Sequence, residues 1–235
     1  QNKSFCNQFQ INTKIEFSKE ELNSSIPLNS MSKKLDLSLV RMKTKKINSL
    51  MVHNGEKLNN KSIGLFEWIN DCKFRNKINN FGASIYHDSN ISIEILNELD
   101  FIQVPFSLFN QEIENNKVIS HCLENSIDIH VRSIFSQGLV LCDSESLPEW
   151  TSKSDRDLFK EIKRLALVQS IPMLNLACSF VQSKDWVKAI TIGVTSITEL
   201  YEIVQALSSK EVIKEDLIIS LCKGLSKKFI DPRRW

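Results

Sequence analysis

Two residues stand out by type and place. Lys14 lies near the end of the short apolar-polar run QINTKI, Gln10–Ile15, and His53 ends INSLMVH, Ile47–His53. A lysine is a compact positive charge or, when an apolar pocket depresses its pKa, an amine able to form a Schiff base with a carbonyl. A histidine gives a hydrogen bond or a proton near neutral pH. Each has an ordinary alternative, a solvated surface lysine or a histidine satisfied by packing. Position makes the pair worth following. Both stand at the ends of apolar runs, and parallel α/β folds build their sites at the C-terminal ends of strands. Neighbouring strands would aim both side chains into one pocket. The stretch Phe101–Gly138 repeats the pattern: FIQVPFSLFN and IDIHVRSIFSQG are each an apolar run whose polar residues gather at its C-terminal end.

The elements that must position these residues follow from periodicity. Strands are expected at Gln10–Ile15, Ile47–His53, Ile78–Ser84, Phe101–Val104 (closed by Pro105), Ile127–Ile134 and Ala189–Val194. Helical spacing predicts Met31–Met42, Ser62–Phe74, Ile91–Leu99 capped by Ser89 or Asn90, Lys117–Asn125, Ser154–Gln169, and Pro172 to about Val181. Ser196-Ile-Thr-Glu199 reads as a capping box opening Ile197–Leu207, and a last helix covers about Ile213–Gly224. Strand and helix thus alternate six times with short loops, which argues for parallel strands joined by helical crossovers. No Gly/Ser-rich or Pro-rich linker divides the 235 residues, so residues 1–235 read as one domain.

Composition removes several function classes. A net charge of +2 leaves no basic footprint for nucleic acid. No apolar run is long enough to span a membrane, and QNKSFCNQFQ is not a signal peptide. Six scattered cysteines without a CxxC pair, and four histidines without metal spacing, argue for reduced buried thiols in a cytoplasmic protein and against a metal centre. Neither GxGxxG nor GxxxxGK[ST] occurs, which disfavours a Rossmann sheet and leaves a barrel.

Taken in order, the segments resemble the aldo/keto reductase family, an NAD(P)H-dependent (β/α)8 TIM-type barrel. INTKI resembles the family's third strand, LMVHN its fourth with the histidine, FGASIY its fifth, FIQVPF its sixth, IHVRSIFSQG its seventh, and TIGVTSITEL its eighth strand with the cofactor helix. The resemblance covers essentially the whole chain and implies six of the eight βα units. It implies that Lys14 lowers the pKa of a proton-donating tyrosine and that His53 polarises the carbonyl of a small aldehyde or ketone substrate. Ser84 and Gln103 would hold the nicotinamide carboxamide of NADP or NAD. Ser133, Phe135, Gln137 and Gly138 would line the groove near the pyrophosphate, Gly193, Thr195 and Ser196 would meet the adenosine end, and Glu202 would approach the adenine.

The chain departs from that pattern in places. The thirteen residues before Lys14 hold neither the aspartate nor the tyrosine that the family carries ahead of its lysine strand. The two tyrosines are Tyr86, after the Gly-x-Ser strand, and Tyr201, on the cofactor helix. Ile85 replaces a frequent Asn, Arg132 an aromatic, and Glu199 a basic residue that clamps the 2′-phosphate. Six units cannot close an eight-stranded barrel, so about seventy residues are expected upstream of Gln1. The alternative is that a partner or a second copy of the chain completes the wall, making a homo-oligomer. Three functional readings follow: a carbonyl reductase; a non-catalytic barrel remnant that binds or scaffolds; and an aldolase or isomerase using Lys14 as a Schiff base. The loops Gly55–Asn60 and Cys142–Ser152, with Trp150, are expected to set specificity, whereas Trp68 is expected to pack a helix.

Overall fold

The computed structural model describes residues 9–23, 29–59, 62–209 and 216–235. The strands β1 (Asn12–Ile15), β2 (Ile47–Val52), β3 (Ile78–Ser84), β4 (Phe101–Pro105), β5 (Asp128–Arg132) and β6 (Ala189–Thr191) form one parallel sheet in which order along the sheet equals order along the chain. The helices among the described residues are α1 (Lys19–Leu22), α2 (Asn29–Arg41), α3 (Ile63–Phe74), α4 (Ile93–Leu96), α5 (Lys117–Glu124), α6 (Lys153–Val168), α7 (Met173–Gln182), α8 (Ile197–Ser208), α9 (Asp216–Lys223) and α10 (Lys227–Ile230). This is the alternation of a (β/α)8-type barrel, with six of its βα units in the chain.

The chain divides into two compact units, Gln1–Gln103 with Ser120–Ile129, and Val104–Ile119 with His130–Trp235. In the first, β2 and β3 are largely buried, as expected of parallel strands covered on both faces. Register pairs Lys14 with Met51, Met51 with Gly82, Gly82 with Phe101, and Ser84 with Gln103. Side chains alternate faces along a strand, so Lys14, Met51, His53, Gly82, Ser84, Phe101 and Gln103 share one face. Gly82 is required there: a Cβ would lie 2.5 Å from the Phe101 carbonyl oxygen and 2.6 Å from its ring. Helix α2 buries Met31, Leu35 and Leu39, and α3 buries Leu65, Trp68, Ile69 and Cys72. Trp68 is a packing residue, edge-on to Phe17 and donating its indole N–H to Ser32 Oγ at 3.0 Å.

In the second unit one aromatic cluster joins Phe106, Phe180 and Trp186, and another joins Phe109, Phe159 and Phe229. Asp155, buried, accepts from Ser152 Oγ and from both the N–H and the hydroxyl of Ser226, joining the starts of α6 and α10. Trp150 stacks on Trp235 rather than standing clear in its loop. No single helix is long and apolar enough to cross a membrane; α6 and α7 meet at a 92° bend around Pro172.

Several bounds differ from the periodic reading. The helix expected over Ile91–Leu99 is a single turn, α4, capped by Ser92 rather than Ser89 or Asn90. Its C-terminal side tightens into i→i+3 bonds, Glu98 to Ile95 and Leu99 to Leu96, before β4 begins. β5 stops at Arg132 because Ser133 takes φ +61°. β6 stops at Thr191, and β1 begins only at Asn12. Pro105 is the last residue of β4 rather than the residue after it. The first residues of the helix expected at about Ile213, as well as Asn60, lie outside the described residues.

Candidate functional site

The register of the first unit assembles four expected site residues on one face. Lys14 and Gln103 sit on β1 and β4, separated by three strand spacings, roughly 14 Å along a flat sheet. Yet Lys14 Nζ donates to Gln103 Oε1 at 2.8 Å. The backbone N–H of His53 donates to the Ile15 carbonyl at 3.1 Å, prolonging the β1–β2 ladder and fixing the histidine one residue beyond β2, where it is exposed. Ser84 and Gln103 are buried and paired in register, and the Ile85 N–H continues their ladder to the Gln103 carbonyl at 2.9 Å.

Gly55 brings the loop after His53 onto the end of β3. A Cβ there would lie 2.6 Å from Ile85 Cγ2, 2.9 Å from Ala83 Cβ and 3.0 Å from the Ser84 oxygen. Only a glycine lets this backbone pass so close. The same turn leaves Asn54 Oδ1 buried with no hydrogen-bond partner among the described residues, an acceptor beside the site that the sequence reading missed. Its one sequence signal is the Asn-Gly pair directly after the histidine.

The second unit holds the remaining expected residues in two places. After β5 the chain turns through left-handed residues at Ser133, Ser136, Gln137 and Gly138 (φ +61°, +47°, +56° and +90°). Three contacts lock the turn: Ser136 N–H to Ser133 O at 2.9 Å, Gly138 N–H to Phe135 O at 2.8 Å, and Ser136 Oγ with Ser107 Oγ at 3.0 Å, the last buried. Gln137 and Gly138 are exposed, and a Cβ on Gly138 would meet nothing within 4 Å. Glycine is favoured there for its backbone angle, not for space.

The other place is the start of α8, where Gly193, Thr195, Ser196 and Glu202 are all exposed. Ser196 caps the helix, accepting from the Glu199 N–H at 3.1 Å. The expected capping box is shifted by one residue, because the Glu199 carboxylate accepts from Thr195, from its N–H at 2.6 Å and its hydroxyl at 3.0 Å. Those two bonds, the backbone one first, hold the Glu199 carboxyl below the usual carboxylate range.

In the first unit the donor set suits a carboxamide, and in the second the start of α8 already carries a carboxylate of the chain. A buried serine hydroxyl paired with a buried glutamine amide, beside an orphaned acceptor, offers what a carboxamide needs. A helix N-terminus is ordinarily an anion site, but at α8 the chain's own carboxylate engages the Thr195 N–H and hydroxyl. A carboxylate there accepts from a ribose diol and repels a 2′-phosphate. Ile85 is buried and offers no polar group. Tyr201 is exposed on α8, and Tyr86 lies in the loop after β3, its N–H on Ser89 Oγ at 2.8 Å. Lys14 is exposed rather than enclosed in an apolar pocket, which speaks against Schiff-base chemistry. No cluster of three or more His, Cys, Asp or Glu among the described residues could hold a metal.

Comparison with known proteins agrees with this architecture. The model of the aldo/keto reductase family matches residues 2–218. The aldo-keto reductase AKR11C1 from Bacillus halodurans superposes with a TM-score of 0.71 at 20% identity, covering 99% of this chain and 76% of that one in its apo form. Its holo form gives the same TM-score and identity over 77% of its length. The thermostable aldo-keto reductase Tm1743, solved with the inhibitor epalrestat, matches at TM-score 0.65 and 16% identity over 92% of this chain and 72% of that one. No curated protein matches.

Proposed function

Since the chain belongs to the aldo/keto reductase family, we propose that it serves the reduction of a small aldehyde or ketone by a nicotinamide dinucleotide. When bound, the dinucleotide supplies the hydride. The protein's residues do the rest. Ser84 and Gln103 hold the carboxamide and so present one face of the ring. His53 donates a hydrogen bond to the substrate carbonyl, stabilising the charge that develops on oxygen. Lys14 sets a positive charge among these groups. The turn Ser133, Phe135, Gln137 and Gly138 offers backbone groups to the pyrophosphate, and Gly193, Thr195, Ser196 and Glu202 border the adenosine. Residues 1–235 are read as one catalytic domain working in the cytoplasm, in keeping with the free thiols among the described residues.

The observation that carries this reading is the convergence of Lys14, His53, Ser84 and Gln103 on one face of β1–β4, tied by the Lys14–Gln103 bond. The test is titration of the protein with NADH and NADPH, followed by quenching of tryptophan fluorescence, together with carbonyl turnover by wild type and His53→Ala. Binding, with turnover falling about 100-fold or more in the variant while dinucleotide affinity holds, supports it. No binding of either dinucleotide at millimolar concentration would overturn it.

A second reading, a non-catalytic barrel that binds or scaffolds, is favoured by one observation. Residues 1–13 contain neither Asp nor Tyr, so the proton donor of the family pattern is not among them. It predicts dinucleotide binding without turnover, or neither.

A further inference from the structure

We propose that the edge of the first unit built from the α2–β2 and α3–β3 turns docks on an anionic lipid surface. Charge is the starting point. Residues 33–46 and 71–77, twenty-one in all, carry nine Lys and Arg against two Asp, in a chain whose net charge is +2. The even overall balance hides one concentrated patch.

The fold brings the two segments together. Helices α2 and α3 end in the same left-handed turn, with Lys43 at φ +52° and Asn76 at φ +58°. After α2 the Thr44 N–H donates to the Leu39 carbonyl and the Lys43 N–H to that of Val40, both at 3.1 Å. After α3 the Lys77 N–H donates to the Cys72 carbonyl and the Asn76 N–H to that of Lys73, both at 2.9 Å. Each pair of bonds is a Schellman motif. The strands that follow are parallel neighbours: Ile47 is level with Ile78, and its N–H donates to the Lys77 carbonyl at 3.0 Å. The two turns therefore stand side by side at the N-terminal ends of β2 and β3, the opposite end from His53 and Ser84.

The cations of the second segment are matched: Lys73 by Asp100 at 2.6 Å, Arg75 by Asp71 at 2.9 Å and Lys77 by Asp36 at 2.7 Å. Arg41, Lys43 and Lys45 are exposed, and no carboxylate among the described residues pairs with them. Beside them stand large apolar side chains in water: Phe74 is 90% exposed, Val40 74% and Leu37 56%. Leu37, Val40 and Arg41 are spaced i, i+3, i+4 and share one face of α2. Unmatched cations set among exposed apolar side chains suit a headgroup layer, whose charge attracts the first and whose acyl boundary takes up the second. A nucleic acid would use the cations but leave Leu37 and Val40 in water.

Flotation of the full chain with vesicles tests this. One set is phosphatidylcholine alone, and the other contains about one-third phosphatidylserine. Binding should need the anionic lipid and weaken as salt rises from about 0.1 to 0.5 M. The triple variant Arg41→Gln, Lys43→Gln, Lys45→Gln should lower vesicle affinity about 100-fold. Phe74→Ser should lower it roughly tenfold. The same loss of charge elsewhere, Lys223→Gln, Lys227→Gln, Lys228→Gln, should leave it nearly unchanged. Phe74→Trp, compared with wild type, should add tryptophan fluorescence quenched by brominated acyl chains. No binding to the anionic vesicles, or equal losses in the two triple variants, would overturn the proposal. So would Phe74→Trp without added quenching, since the apolar side chains would then stay in water. Binding of single-stranded RNA without binding to vesicles would overturn it too and assign the patch to nucleic acid. The salt dependence and the quenching need no charge substitution, so they decide the matter even if the triple variant melts early.

Discussion

The Glu199 carboxylate grips Thr195 twice, through the backbone N–H at 2.6 Å and the hydroxyl at 3.0 Å. A negative group thereby caps the start of α8 from within the chain. Replacing it by glutamine keeps the shape and removes the charge. Glu199→Gln is therefore expected to shift the ratio of NADPH to NADH affinity toward NADPH, by roughly threefold to tenfold. Paired titrations with 2′-phospho-ADP-ribose and ADP-ribose read the change without turnover. An unchanged ratio would mean that this helix start does not meet the 2′ position.

Gly82 and Phe101 make a second prediction. The Phe101 ring and carbonyl fill the space where a Cβ would stand, and both belong to β4, which is hydrogen-bonded to β3 and cannot move away cheaply. Gly82→Ala should destabilise the protein by about 1–3 kcal/mol, the usual cost of overpacking a filled core. Urea denaturation should show a lower midpoint at unchanged slope. A companion Phe101→Leu should recover part of the loss.

Glu21 gives a pH dependence. It closes a capping box with Ser18 and pairs with Lys34 at 2.6 Å. Burial alone would raise its pKa, but Lys34 and the hydrogen bonds from the Ser18 N–H and Ser30 outweigh it, and the net direction is down from 4.5. A carboxylate whose folded pKa is depressed contributes stability above its unfolded pKa and loses it as pH falls through the folded one. Glu21→Gln should therefore cost about 1–2 kcal/mol at pH 7. The gap to wild type should narrow below about pH 4.5. Chemical denaturation at pH 7 and pH 3 checks the sign.

The thiols offer a map of accessibility. Burial pushes Cys72 and Cys178 up to about 11, and Cys122 and Cys222 up to about 12. Cys142 is raised too, again chiefly by burial, but it is only half-buried and Lys163 acts against the rise. Among the five described cysteines, iodoacetamide at pH 7.5 should label Cys142 first, and the other four only in denaturant. Peptide mass spectrometry resolves the order.

Much of the scaffold was legible because its period is strong. β3 falls on Ile78–Ser84 as read, and α2 shows the expected burial of Met31, Leu35 and Leu39. Ends were less legible where one residue's conformation decides them. Nothing in SIDIHVRSI announces that Ser133 turns left-handed, and α4 closes in tight turns that periodicity does not encode. Helix α1 was missed although Ser18-Lys-Glu-Glu21 spells a capping box, because four residues are too few to show a helical repeat. At the site, Lys14 and His53 were recognisable as strand-end polar residues. The Lys14–Gln103 bond was not, since it depends on how far β1–β4 bend toward one another, and 89 residues of sequence separate the two groups.

The identity of sheet order and chain order has a consequence for how the protein is made. Each new strand emerging from the ribosome finds its only earlier neighbour already synthesised, one βα unit behind it. The sheet can be laid down progressively from β1 to β6, each strand adding beside the one translated before it. Synthesis and folding can advance together, and a pause in translation leaves a shorter sheet rather than a mispaired one.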